Sequence, residues 1–242
     1  MSPTHTSPKI GGIKGVDSMD EIRLIEVKED ILSDNEAVAG ELREKLRLMK
    51  TFMLNLMASP GSGKTSLILQ TIEALKAEFR IGIIEADIDS TVDSEKVSQH
   101  GAKAVQLRTG GFCHVDATMV SQGLDALNPD EFDLVIIENV GNLVCPAEFD
   151  TGAIKNAMIL SVPEGDDKPL KYPLMFSVCD VLVINKIDAM GIFDFDIESV
   201  KQRVQLLNPE IQIITVSCKT GKGIDAWANW IRNEINSVTN GL

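Results

Sequence analysis

Cysteine is scarce in this chain of 242 residues. There are four, Cys113, Cys145, Cys179 and Cys218, and no two of them form a C-x-x-C pair. That excludes a disulfide framework and leaves thiols expected to be reduced, as in a cytoplasmic protein. Basic residues are also in deficit: 23 Lys and Arg stand against 36 Asp and Glu, for a formal charge of −13. Affinity for nucleic acid rests on a basic surface, so no nucleic-acid partner is expected. No apolar run approaches the roughly 20 residues that span a bilayer. The opening "MSPTHTSPKIGGIKG" has no apolar core of a secretory signal. A membrane partner is not expected either, and no internal repeat is visible.

What is present is an alternation of apolar runs and helical text. Residues 1–18, rich in Pro, Gly, Ser and Lys and without a period, are expected to form a disordered tail. Residues 19–50 read as an N-terminal helical segment. Within it, 34–49 carry Val38, Leu42, Leu46 and Met49 at helical spacing, with Asp34 as a candidate cap. From residue 51 to 242 the apolar runs fall at 52–58, 80–87, 102–107, 132–141, 156–165, 180–186 and 211–217. They do not alternate with polar residues, which is how strands covered on both faces read. Seven such strands with helices between them predict an α/β fold built on an open, mostly parallel sheet with helices on both faces. The closing segment 223–238 reads as a helix with Trp227, Trp230, Ile231 and Ile235 on one packing face.

The first strand runs into "ASPGSGKTS", residues 58–66. This is the P-loop pattern G-x-x-x-x-G-K-[ST] with Ala58 in place of the first glycine. In that pattern the backbone of Ser59, Pro60, Gly61, Ser62 and Gly63 wraps phosphates, with N–H groups turned inward. Lys64 reaches the terminal phosphate oxygens, the Thr65 hydroxyl ligates Mg²⁺, and the helix opening at Gly63, with Ser66 in its first turn, adds its positive end. The base is read from "NKID", residues 185–188. The Asp188 carboxylate can accept from both donors on the guanine edge, which adenine does not offer. Lys186 lies along the base plane, and Asn185 ties this loop to the phosphate loop. A second loop, "SCKTGKG" from Ser217 with Cys218 and Lys219, either closes over the base with backbone N–H groups or is a simple glycine-rich turn. Residues 51–242 are thus expected to form a P-loop NTPase domain specific for GTP and GDP. Asp87 and Glu138 end two strands at the carboxyl edge, where open α/β sheets bind ligands. Either can hold Mg²⁺ or orient the attacking water, and for Asp87 a solvated turn carboxylate is the competing reading.

The stretch "RTGGFCHVD" sets Cys113 beside His114, and Cys145 lies seven residues beyond Glu138. Each taken alone is equally readable as an ordinary buried thiol or a solvated imidazole. Taken together they form a thiolate and imidazole set that suits nickel or zinc and not Mg²⁺. Cys113 is expected at a helix start, where a thiolate is favoured. Three ligands are one short of a closed tetrahedral site, which a two-fold dimer can complete. Cys179 and Cys218 read as structural.

At this point "SPGSGKT", "GGFCHVD", "IIENVGNLVCP", "SVPEGDDKPLKYP", "NKID" and "VSCKTGKG" together resemble the HypB family of hydrogenase maturation GTPases, over roughly residues 30–238. The resemblance places the chain among the SIMIBI-class parallel-sheet GTPases that dimerise around nucleotide. The related UreG proteins carry a Cys-Pro-His metal motif that is absent here. The resemblance implies nickel insertion into the precursor of the [NiFe]-hydrogenase large subunit, with slow GTP hydrolysis and dimerisation gating the transfer. It implies Mg²⁺ contacts from Thr65, Asp87 and Glu138, a catalytic part for Lys64 and Asp87, and a Ni²⁺ or Zn²⁺ site at Cys113, His114 and Cys145 on the dimer interface. A nickel donor or co-chaperone is implied as a further partner. The N-terminal cysteine-rich motif and the His-rich tail of some members are missing, so nickel is expected to use the interface site. Two other functions fit the same residues. One is a GTP-dependent metallochaperone for another enzyme, of the urease or cobalamin-mutase kind. The other is a metal carrier whose nucleotide site does not hydrolyse.

Overall fold

A computed structural model of the chain describes residues 18–87, 97 and 100–241, and of residues 18–31 and 87 the backbone alone. The expected tail at 1–18 lies outside the described residues apart from Ser18, which opens a helix running to Met49. Asp34 therefore sits mid-helix and caps nothing, because the chain does not leave helical geometry there. The stretch before it mixes Glu21, Glu26 and Glu29 with Ile22, Leu24, Val27 and Ile31 and holds no Gly or Pro, so nothing in it breaks a helix. By its contacts the chain divides into two compact units at Asp34 and Asn35.

Within the unit from Asn35 onward, seven strands form one sheet: β1 (Phe52–Ala58), β2 (Ile81–Asp87), β3 (Lys103–Arg108), β4 (Leu134–Glu138), β5 (Lys155–Ser161), β6 (Val181–Asn185) and β7 (Gln212–Thr215). Their order is β3-β2-β4-β1-β5-β6-β7, and every neighbouring pair is parallel. The sheet is thus wholly parallel, where a mostly parallel one was expected. Side chains along a strand alternate faces, and the unbroken apolar runs are what both faces need. In β1, Phe52, Leu54, Leu56 and Ala58 enter one core, while Met53 and Met57 enter cores on the other face. In β4, Leu134 and Ile136 go one way and Val135 and Ile137 the other.

The first face is covered by the helices Lys64–Leu75 and Ile224–Asn240. Trp227 and Trp230 stack there at 5.4 Å between centroids, and the Trp227 indole donates to Thr71 Oγ1 at 2.8 Å. The second face is covered by Leu42 and Leu46 of the long helix and by the helix Ala117–Leu127 over β2 and β4. Beyond β1, the turns Lys168–Lys171 and Pro173–Ser177 and the helix Ile197–Leu207 cover β5 and β6.

β1 lies between β4 and β5, so the chain leaves it in one direction for β2 and later returns to its other side with β5. At such a reversal the carboxyl ends diverge and leave a crevice, where ligands of open parallel sheets bind. The P-loop pattern follows β1 at this point.

Candidate functional site

The loop Ser59–Gly63 leaves β1 and enters the helix at Lys64, with Gly63 as its N-cap. The helix thus opens one residue later than Gly63 itself. Gly61 and Gly63 have φ of +75° and +106°, values that favour glycine. A Cβ on Gly63 would also stand 2.5 Å from Asn185 Nδ2. That amide explains the close approach, because it donates to the Ser62 carbonyl at 3.0 Å. Asn185 Oδ1 in turn accepts from the N–H groups of Lys186 at 2.7 Å and Cys218 at 3.3 Å. Lys186 Nζ donates to the Gly61 carbonyl at 2.6 Å. The phosphate-loop text, "NKID" and "SCK" are therefore joined through one buried side chain. The Ser62 hydroxyl is buried and has no hydrogen-bond partner among the described residues. The tight glycine turn, inward backbone and helix start form a cradle that fits a polyphosphate.

Asn185→Ala strips three partners of their bonds in a buried place. We expect a loss of about 3 kcal/mol in denaturant unfolding and at least a tenfold loss of GTP affinity. Wild-type values of both would show that the three loops stand independently.

At the other end of the crevice, Asp188 is exposed at the surface and accepts from the Ser217 hydroxyl at 2.6 Å. That bond, above all, holds its carboxyl below the ordinary carboxylate range. Ser217 is buried; its hydroxyl accepts from Thr220 N–H at 3.2 Å, and its N–H donates to the Lys222 carbonyl at 2.8 Å. Burial raises the Cys218 thiol to about 11, so it is a poor nucleophile at neutral pH. Cys179 is fully buried and its thiol is raised further by desolvation.

Thr65 and Ser66 occupy the first turn of the Lys64 helix. Thr65 Oγ1 donates to Glu138 Oε1 at 2.9 Å, which joins the phosphate loop to the end of β4. A hydroxyl and a carboxylate so close are oxygen donors of the kind a hard divalent cation takes, and they fit Mg²⁺. Asp87 is the last residue of β2, beside β4; its side chain, and the whole of Asp89, lie outside the described residues.

The ligating atoms of Cys113, His114 and Cys145 all lie within 4.8 Å of one another. The two sulfurs are 2.6 Å apart, and Cys113 Sγ is 3.9 Å from His114 Nδ1. The sequence expectation of Cys113 at a helix start is not met. The helix opens at Ala117, because Asp116 caps it by accepting from Met119 N–H at 2.8 Å. Cys113 instead sits in the turn following Gly110 and Gly111, both with positive φ, and it is exposed. It is Cys145 that opens a helical turn, of four residues. His114 is stacked on Phe149 at 3.8 Å, and burial lowers its pKa, so the neutral imidazole that ligates metals is favoured. The proximity of Cys113 raises the Cys145 thiol. The half-exposed side chains of Phe112 and Val144 flank the three ligands.

Four asparagines escaped the sequence reading. Asn139 and Asn55 are buried, and Asn139 Nδ2 donates to Asn55 Oδ1 at 3.0 Å. Asn55 Nδ2 donates to Asn156 Oδ1 at 2.9 Å, carrying the chain of amides from the end of β4 to β5. Asn142 bonds to the Cys113 loop. Asn55 alone had a signal, an amide within the apolar run "FMLNLMA", which once buried must find partners.

Residues 52–215 match the model of the family described as the CobW/HypB/UreG nucleotide-binding domain. A hydrogenase maturation factor HypB of Rhizobium leguminosarum bv. viciae is 43% identical over 227 residues, 94% of this chain and 76% of its own. The crystal structure of HypB from Helicobacter pylori in complex with nickel superposes with a TM-score of 0.80 at 36% identity, covering 84% of this chain and 96% of that one. The HypB structure from Archaeoglobus fulgidus gives 0.79 at 41% identity, covering 84% of this chain and all of the other. By these matches the chain belongs to the HypB hydrogenase maturation factors, within the CobW/HypB/UreG nucleotide-binding family.

Proposed function

We propose that this chain is a nickel-inserting GTPase of [NiFe]-hydrogenase maturation. It binds GTP in the crevice after β1, hydrolyses it slowly, and uses the change of nucleotide state and of dimerisation to hold or release the metal. The observation that carries this reading is the pairing of two sites on one segment: Glu138 bonds to Thr65 of the phosphate loop, and Cys145, a few residues on, meets Cys113 and His114.

Lys64 neutralises the terminal phosphates, and the backbone of residues 59–63 donates to them. Ser59 to Ser66 thus form the phosphate site; Asn185, Lys186, Asp188, Ser217, Cys218 and Lys219 form the base site. Thr65, Asp87 and Glu138 would hold Mg²⁺. When bound, Mg²⁺ neutralises charge building on the phosphate oxygens. Asp87 orients the attacking water or the cation. Nickel is cargo: Cys113, His114 and Cys145 give three ligands, and a second copy of the chain completes the set across a surface flanked by Phe112 and Val144. A nickel donor or co-chaperone loads the site, and the hydrogenase large-subunit precursor receives the metal. Among the described residues no helix is long and apolar enough to cross a membrane, and the reading places the protein in the cytoplasm.

The test is GTP turnover and Ni²⁺ binding by the full chain. Turnover is expected below about 1 per second, as for unassisted GTPases, and Lys64→Ala and Asp87→Ala should each abolish it. Cys113→Ala, His114→Ala and Cys145→Ala should weaken Ni²⁺ binding at least tenfold with GTP affinity unchanged. No turnover of GTP by the parent chain would reduce the protein to a metal carrier. Undiminished turnover in Asp87→Ala would move the water-orienting role to Asp89.

A further inference from the structure

The five residues Glu138–Asn142 touch three parts of the site at once. Glu138 accepts from Thr65 at the start of the phosphate-loop helix. Gly141 packs against Pro60 so closely that a Cβ there would stand 3.0 Å from Pro60 Cγ and 3.1 Å from its nitrogen. The two asparagines of the segment reach the other way, to the loop of the metal ligands. Asn142 Nδ2 donates to the Cys113 carbonyl at 3.4 Å, and Asn139 Oδ1 accepts from the Val115 N–H at 3.4 Å. His114 is thus bracketed: the carbonyl before it and the amide after it are both held from one segment.

We propose that Asn139 and Asn142 are the positioning residues that transmit the state of the nucleotide crevice to the metal ligands. The proposal rests on the function proposed above and assigns its coupling to named side chains. Lengths of the bonds support it. Asn139 is fixed in its own frame by short ones: its N–H to the Leu56 carbonyl at 3.0 Å, its Nδ2 to Asn55 at 3.0 Å, and the Val140 N–H to its Oδ1 at 2.8 Å. The two bonds that cross to the metal loop are the longest in the set. A hydrogen bond at 3.4 Å is near its limit, so a shift of a few tenths of an ångström breaks it while the shorter ones survive. The segment is therefore a firm pivot on β1 with weak outer links.

Asn142 also reaches both cysteines. Its Nδ2 holds the Cys113 carbonyl, and its Oδ1 accepts from the Val144 N–H at 2.9 Å, one residue before Cys145. One amide plane therefore relates the backbones that carry the two sulfurs. When phosphate or Mg²⁺ draws on Glu138, or displaces Pro60 against Gly141, that plane turns and the spacing of the ligands changes. Neither asparagine belongs to the Cys-His-Cys set; Asn139 acts through the Val115 backbone, and Asn142 acts through the backbones of Cys113 and Val144 and through a hydrogen bond to the Cys145 side chain.

The test measures Ni²⁺ affinity of the full chain by competition with a chromophoric chelator. It is done once loaded with GDP and once with a non-hydrolysable GTP analogue, for the parent, Asn142→Ala, Asn142→Gln and Asn139→Ala. The parent affinities should differ at least about fivefold between nucleotide states. In Asn142→Ala the ratio should fall within about twofold of one, with analogue affinity kept within about threefold. Asn142→Gln, which keeps an amide, should restore part of the ratio, an effect that a loss of folding would not produce. Should Asn139→Ala fail to fold, the half-buried Asn142 still decides. A parent ratio of one would remove the nucleotide gating of metal from the proposed function itself. A parent ratio above fivefold that persists in Asn142→Ala and Asn139→Ala would leave that function standing and overturn only this assignment.

Discussion

Asp188→Asn is expected to weaken GTP binding by about 3–4 kcal/mol, two to three powers of ten, and to create affinity for xanthosine triphosphate. Ser217 sets the direction of the change. Its hydroxyl donates to Asp188 Oδ1 at 2.6 Å, so the new side chain keeps its oxygen toward Ser217 and turns its NH₂ outward. Guanine then meets a donor with its own donors, whereas the extra carbonyl of xanthine accepts from it. Competition binding of GTP, xanthosine triphosphate and ATP to parent and variant checks this. Equal competition by ATP in the parent would sink the guanine reading. Loss of GTP without gain of the xanthine nucleotide would show collapse of the loop and not a changed preference.

Gly223→Ala should be among the most damaging single substitutions in the chain. Gly223 has φ +80°, and a Cβ there would sit on the Thr215 carbonyl oxygen, well inside van der Waals contact. That oxygen belongs to the end of β7 and cannot swing aside as a side-chain tip can. The strain of a left-handed alanine adds about 1 kcal/mol, and the clash brings the total to about 3–5 kcal/mol, or roughly 10 °C in Tm. Gly221 is the control: its φ is +78°, but a Cβ there meets nothing within 4 Å. Gly221→Ala should cost only about 1 kcal/mol. Equal melting temperatures for the two variants would show that the contact with Thr215 relaxes without cost.

The parallel sheet could be read from the sequence because a strand covered on both faces leaves no alternation, and the five inner strands have that character, while the edge strands β3 and β7 are only partly buried. Their ends could not be read so closely. The run 132–141 holds a strand of only five residues, Leu134–Glu138, because the apolar Val140 beyond it is buried in a loop and not in a ladder. The helical segment expected at 19–50 is a helix over Ser18–Met49, but Asp34, a candidate cap within it, stands where the backbone stays helical. The reverse error put Cys113 at a helix start and passed over Asp116, the residue that does cap. The P-loop, NKID and Cys-His-Cys positions were legible since their chemistry depends on residue type and local spacing. Asn139 and Asn142 were not, since their meaning lies in backbone atoms of another loop, which no local pattern encodes.

The stiffening of the phosphate loop has a consequence for the order in which a working protein emerges during synthesis. Ser62 is held by Asn185, 123 residues further along, and Gly61 by Lys186, 125 residues further. β1 itself pairs on both sides with strands made much later, β4 and β5. Contacts of such separation form slowly and only after the intervening chain exists. On a growing chain the Cys113 and Cys145 loops are therefore complete before the nucleotide cradle has anything to brace it. Until translation has passed Asn185 and Lys186, Ser62 and Gly61 stand without the side chains that hold them in the finished fold.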